Sequence, residues 1–319
     1  MLTLRHRDGA EGLNARISVG NREVSIDLSK PVSLAIDLDF STLRPEHSGG
    51  SPEKRQGRDA GRPERSGGNP EKPQGRDAGQ PRHFGAPPAT SRPFAVPGFS
   101  GSVEEGASCN CQILTLTPHC NGTHTECVGH LTRERADAYS VTPLGLLPTL
   151  LLSVEPVDAR LSDESTEPGP QSGDLLVTRR AIADSWVKAA PSLEPRVLVV
   201  RTLPNGSDKR SRDYTNQTPP YLSREAAELL VERGIEHVVV DLPSIDRSHD
   251  EGRLTAHRIF FGLPRGSTTL AQATRSRSTV TELAYIPDTA SDGTYLLELQ
   301  VPALGGDAVP SRPLLYPLL

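Results

Sequence analysis

Residues 118–130 read Pro-His-Cys-Asn-Gly-Thr-His-Thr-Glu-Cys-Val-Gly-His, which gathers three of the chain's nine histidines and two of its four cysteines around one glutamate. Imidazole nitrogens, a carboxylate and thiols at this spacing are the donors that zinc and manganese take. Gly122 and Thr123, between His119/Cys120 and His124, let the backbone turn tightly from one ligand to the next. The segment reads as half of a metal site, so the remaining donors must come from elsewhere.

Two candidates lie far downstream. Glu282 interrupts the apolar pattern of residues 279–287, where an unpaired carboxylate is costly to desolvate, so a cation or a metal must face it. His257 stands beside Arg258 on a short apolar element, residues 256–262. Taken singly, Glu282 fits a structural ion pair and His257 fits a satisfied core or surface histidine. Taken with residues 119–130, both become candidates to complete one coordination sphere.

The elements that must position these groups alternate strand and helix. Residues 24–28 and 33–38 read as two strands joined by a turn at residues 29–31, and residues 111–117 read as a strand that delivers His119 and its neighbours. Residues 146–154 form a further apolar run. A helix capped by Thr178 runs to residue 190, with Ile182, Trp186 and Ala189 at helical spacing. Strand 196–202 follows, then a helix opening at Ser223 and stopped by Gly234, then strand 235–242, whose unbroken apolar run implies burial on both faces. Residues 295–301 and 312–319 close the chain as strands. This alternation predicts an α/β unit with parallel pairing.

Residues 47–64 and 65–82 are two copies of one unit, sharing Ser-Gly-Gly, Pro-Glu-Lys and Gln-Gly-Arg-Asp-Ala-Gly, and neither contains Val, Ile, Leu, Phe, Tyr or Trp. With nothing to bury, such a segment cannot offset the roughly 1–2 kcal/mol per residue that ordering a backbone costs. A disordered tandem-repeat insertion at 47–82 is therefore expected, dividing one catalytic domain into N-terminal strands (1–46) and the remainder (83–319).

Composition excludes several classes of function. A net charge of −5, with no basic run interleaved with aromatics, argues against nucleic acid as a partner. Neither a signal-peptide core nor a run of eighteen apolar residues occurs, so a soluble, cytoplasmic protein without membrane partners is expected. All four cysteines fall between 109 and 127, whereas a disulfide framework would spread them to staple distant segments.

Residues 122–126, Gly-Thr-His-Thr-Glu, followed by His130 and preceded by Thr-Leu-Thr-Pro-His at 115–119, resemble the signature of the cyclase family that includes bacterial kynurenine formamidase and isatin hydrolase: His-x-Gly-Thr-His-x-Asp, then x-x-x-His. Residues 241–246, His257 and residues 281–283 resemble the family's downstream landmarks, in order. The chain departs from the pattern in three places. An extra residue before Gly-Thr leaves either His119 or Cys120 as the first ligand; Glu126 replaces Asp; and Val128-Gly129 replaces Pro-x before His130. Extra residues between His257 and Glu282 imply an altered substrate pocket.

The resemblance implies an α/β fold of the swivelling β/β/α type, a mixed sheet with flanking helices, and a homodimer. It implies one or two divalent ions, Zn2+ or Mn2+, with His119 (or Cys120), His124 and Glu126 on one, and Glu126, His257 and Glu282 shared with or holding a second. His130 would be the general acid/base. The implied activity is metal-dependent hydrolysis of a small-molecule amide at its carbon–nitrogen bond, as in the arylformamidases of tryptophan catabolism. Cyclic amide or lactone hydrolysis and biosynthetic cyclisation are the alternatives, and a non-enzymatic metal-binding interaction protein is a third.

Overall fold

The computed structural model describes residues 3–5, 13–38, 40 and 79–319. Among the described residues, nine strands form one mixed sheet: β1 (Val32–Ser33), β2 (His124–Cys127), β3 (Leu146–Val154), β4 (Val197–Thr202), β5 (His237–Val240), β6 (Thr279–Glu282), β7 (Gly293–Gln300), β8 (Ala308–Pro310) and β9 (Arg312–Pro317). Their spatial order is β8-β2-β6-β5-β4-β3-β7-β9-β1. The centre, β3 through β6, is parallel, as the strand–helix alternation predicts. Antiparallel pairs extend it on both sides.

β4, β5 and β6 are buried along their whole length because both faces are covered. Alternate residues of one strand feed different cores. Leu150, Leu152, Leu198, Val200, Val238 and Val240 meet the helices through Ile182, Leu230 and Phe260. Leu151, Val199 and Val239 meet Tyr295 and Leu297 on the other face.

Helix α1 (Arg179–Ala189) begins where Thr178 Oγ1 accepts the N–H of Ala181 at 3.1 Å. Helix α2 (Arg224–Glu232) begins where Ser223 Oγ accepts the N–H of Ala226 at 2.9 Å, and Gly234 follows with φ +69°. Both starts match the capping residues read from sequence. Helix α3 (Thr255–Phe261) is the short apolar element that carries His257. None of the helices among the described residues is long and apolar enough to cross a membrane.

Three expectations need correction. Of residues 33–38 only Ser33 lies in a strand, at the end of β1: Leu34 N–H donates to Pro313 O, Leu34 O accepts from Tyr285, and Ile36 N–H donates to the Thr123 hydroxyl, so the rest of the segment threads between other elements. The expected strand 111–117 shortens to Gln112–Thr115 and pairs with Thr90–Pro93 outside the main sheet. Most of the 47–82 insertion lies outside the described residues, but its last four are placed and packed. Gln80 is buried against the Ala89 backbone, and Arg82 bridges Asn121 and Asp213, so these four do find partners.

Candidate metal centre

The segment 118–130 runs from a turn through a strand into a 3-10 turn. Cys120 and Asn121 N–H groups both donate to Thr117 O, the Asn121 side chain returns a bond to Thr117 N–H, and Gly122 takes φ +71° with the Leu38 side chain packed where a Cβ would stand. That turn starts β2. The middle of the cluster, His124–Cys127, is therefore a sheet strand, not recognisable by alternation because all four of its residues are buried.

Register then does what sequence distance hides. β2 runs antiparallel to β6 with His124 opposite Glu282, Thr125 opposite Thr281 and Glu126 opposite Val280. Because side chains alternate across a strand, His124, Glu126 and Glu282 share one face. The other face is sealed by a hydroxyl pair, Thr125 Oγ1 to Thr281 Oγ1 at 2.8 Å. His257 arrives from α3, whose first-turn N–H groups at Ala256 and His257 donate to the Asp246 carboxylate.

Five expected donors, His119, His124, Glu126, His257 and Glu282, converge in this way. His257 Nε2 lies 2.5 Å from Glu126 Oε1 and 3.5 Å from Glu282 Oε1, and His124 Nε2 lies 3.4 Å from Glu282 Oε2. His119 Nδ1 is 2.8 Å from the other Glu126 oxygen. Two donor sets share Glu126, namely His119/His124/Glu126 and Glu126/His257/Glu282. Cys120 joins neither set among the described residues, and burial beside Glu282 pushes its thiol pKa up.

The inner atoms are aimed but not bonded. His124 Nδ1–H donates to Gly122 O at 3.1 Å and His257 Nδ1–H donates to Asp246 at 2.7 Å, which leaves each Nε2 facing the carboxylates. Neither Nε2, nor Glu126 Oε1, makes a well-formed hydrogen bond, although all three are fully buried. Buried polar atoms are ordinarily satisfied, so three of them around one point fit a cation. The nitrogen and oxygen donors suit Zn2+ or Mn2+.

Electrostatics point the same way. Burial works against the Glu126 carboxylate, but His257, His130 and His119 around it hold its pKa well below the usual range. Burial and Glu126 both oppose ionisation of Glu282, yet His124 and His257 keep its pKa lowered. Burial likewise opposes charge on His119, but Asp307 and Glu126 on its two nitrogens push its pKa up to about 10. Positive charge is stabilised at this point of the fold.

His130 sits on the 3-10 turn Val128–Leu131 that follows β2. Its ring centroid is 4.2 Å from that of His119 and 5.8 Å from that of His257, and it keeps more solvent contact than either His124 or His257. Asp307 joins the three-residue set His119/His130/Asp307, with Oδ2 2.8 Å from His119 Nε2 and 3.4 Å from His130 Nδ1. Asp307 and Asp246 were not singled out as individual site residues from sequence. Asp246 lies within the family-like stretch 241–246, but Asp307 precedes a three-residue strand with no motif around it.

The sequence model of the Cyclase family ("Putative cyclase") matches residues 26–247. No curated protein matches the chain. Among solved structures it is similar to isatin hydrolase A from Labrenzia aggregata bound to benzyl benzoate (14% identity, 90% of this chain and 93% of that chain, TM-score 0.50). It is also similar to isatin hydrolase A from Ralstonia solanacearum (13%, 90% and 91%, 0.50) and to the crystal structure of a novel cyclase (12%, 91% and 89%, 0.52). At these identities the likeness is one of fold.

Proposed function

Because the chain belongs to the Cyclase family, we propose that it is a metal-dependent hydrolase that cleaves the carbon–nitrogen bond of a small-molecule amide. The observation that carries this reading is the convergence of His124, Glu126, His257 and Glu282, with buried, unbonded nitrogen and oxygen atoms turned inward. Glu126, common to two donor sets, suits one ion or a bridged pair of Zn2+ or Mn2+ ions. A bound divalent ion supplies Lewis acidity to a carbonyl oxygen and to water.

The chain's own residues supply the rest. Asp246 fixes the ring of His257 and the Gly122 carbonyl fixes that of His124, so the donors are oriented before any ligand arrives. His130, beside Asp307, is the most solvent-accessible of the four rings at the site. It accepts a proton from the water whose oxygen adds to the carbonyl carbon. As the C–N bond breaks, it returns a proton to the departing amine nitrogen. The Asp307 carboxylate stabilises the imidazolium that exists between the two transfers.

Aryl formamides such as N-formylkynurenine lead the substrate class. Cyclic amides such as isatin come second, favoured by the fold likeness to isatin hydrolases. A homodimer, neither nucleic acid nor membrane as partner, and a cytoplasmic location complete the reading. The test is turnover of N-formylkynurenine and isatin, side by side, by protein loaded with Zn2+ or Mn2+. Hydrolysis of the first with loss on chelation is the expected result. Metal uptake with turnover of neither would replace this reading with the non-enzymatic one.

A further inference from the structure

His83 lies on a segment held from several directions. Arg82 exchanges backbone bonds with Arg212 and Tyr214, His83 N–H donates to Cys120 O at 3.2 Å, and the Gln80 amide clamps both backbone groups of Ala89. The His83 side chain is buried at 1% exposure, yet neither Nδ1 nor Nε2 has a hydrogen-bonding partner among the described residues. Its ring lies 3.8 Å from that of Phe84, which itself takes a left-handed φ of +52°. A buried ring with two unsatisfied nitrogens beside a strained aromatic residue lowers stability, and an aliphatic side chain would fill the same space without that cost. Such features concentrate where a ligand is bound.

The position supports that explanation. The backbone of His83 is bonded to Cys120, in the turn that leads directly to His124, and the charges of Glu282, His249 and His124 act on its ring. Burial pushes the ring's pKa down to about 4, leaving a neutral imidazole with one N–H to donate and one lone pair to accept. His249, Ser248 and Arg247 border a cavity of about 660 Å3, and the buried Ser248 hydroxyl is also without a partner. The chain reaches that cavity directly from Ile245, which donates to Glu282, and Asp246, which orients His257.

We infer that His83 is a substrate-positioning residue: its ring hydrogen-bonds a polar amide held at the metal centre. The inference rests on the amide-hydrolase reading and narrows it to amides that carry hydrogen-bonding groups. His83 acts on the ligand and not on the metal, since it belongs to none of the donor sets.

The test uses Zn2+-loaded full-length protein, its His83→Leu and His83→Asn variants, and acetohydroxamate, a small chelating amide analogue. Zn2+ affinity should stay within about twofold of wild type in both variants, because no ligand is removed. His83→Leu should melt higher than wild type without ligand and bind acetohydroxamate about tenfold more weakly, the loss that one hydrogen bond produces. His83→Asn should recover part of that affinity, and the ring resonances of 15N-labelled His83 should move on titration with the hydroxamate.

A lower melting temperature for His83→Leu, equal hydroxamate affinity in all three proteins, or unmoved His83 resonances at saturation would each overturn the inference. Failure of wild type to bind hydroxamate also overturns it, and amide turnover measured in parallel then judges the hydrolase reading separately. Hydroxamate binding with moved His83 resonances but no turnover of any amide leaves His83 placed at the ligand and removes the hydrolase reading instead.

Discussion

Glu126 meets a histidine at each oxygen, His119 on one side and His257 on the other, so the two donor sets are joined through a single carboxylate. Replacing Asp by Glu at this position adds a methylene, and the fully buried strand accommodates it without moving the carboxylate out of reach. Orientation of its partners matters as much as their identity. Asp246→Asn removes the charge that holds His257 Nδ1–H, and metal affinity should fall about 10–100-fold. Competition against a chelator of known affinity measures this, and an unchanged affinity would remove Asp246 from the site. His130→Ala should behave differently: metal content stays as in wild type while kcat drops about 10^2–10^4-fold, the usual contribution of a general acid/base. Loss of metal together with activity would make His130 a ligand.

The elements differ in how openly their residues announce them. α1 and α2 were legible because a cap and an apolar stripe agree, with Gly234 as a stop for α2, and β4 and β5 were legible from their β-branched runs. β2 was not, since His-Thr-Glu-Cys has no apolar alternation; one face is spent on the site and the other on the Thr125–Thr281 hydroxyl pair. The Thr178 cap gives the legible case a number. Thr178→Ala should destabilise the protein by about 1 kcal/mol in urea unfolding, and a change near zero would mean that Glu164, which accepts the Arg179 and Arg180 N–H groups, suffices alone. Gly129 gives the illegible one. It looks like a loosened turn before His130, but a Cβ there would collide with the Ala136 carbonyl and press on Asp307. Gly129→Ala should cost about 1–3 kcal/mol by overpacking and should displace the His130–Asp307 pair. Wild-type stability and kcat in that variant would show the turn to be slack after all.

Across the whole molecule, the meeting of His119, His124, Glu126, His257 and Glu282 was readable through the family resemblance, but the part of Asp307 was not, because it lies 188 positions from His119 and the antiparallel pairing of β8 with β2 is what brings the two together. The same sheet buries ionisable groups away from the site, and these set how the fold responds to acid. His237, at the start of β5, is 3% exposed, with Nδ1 2.9 Å from the Thr279 hydroxyl. Burial lowers its pKa to about 4 from the ordinary 6.5, against a weaker opposing pull from Glu236. A histidine kept neutral in the folded state contributes stability fully above pH 6.5. Below that, the unfolded chain gains a proton that the folded chain refuses, and the contribution is lost progressively until pH 4. The shift corresponds to about 3 kcal/mol. His237→Asn, which can still bond Thr279, removes this dependence. Unfolding free energies of metal-free wild type and variant, measured by urea titration, should therefore draw together or cross by about 3 kcal/mol as pH falls from 6.5 to 4. Two curves that stay parallel over that window would mean that His237 is charged within the sheet.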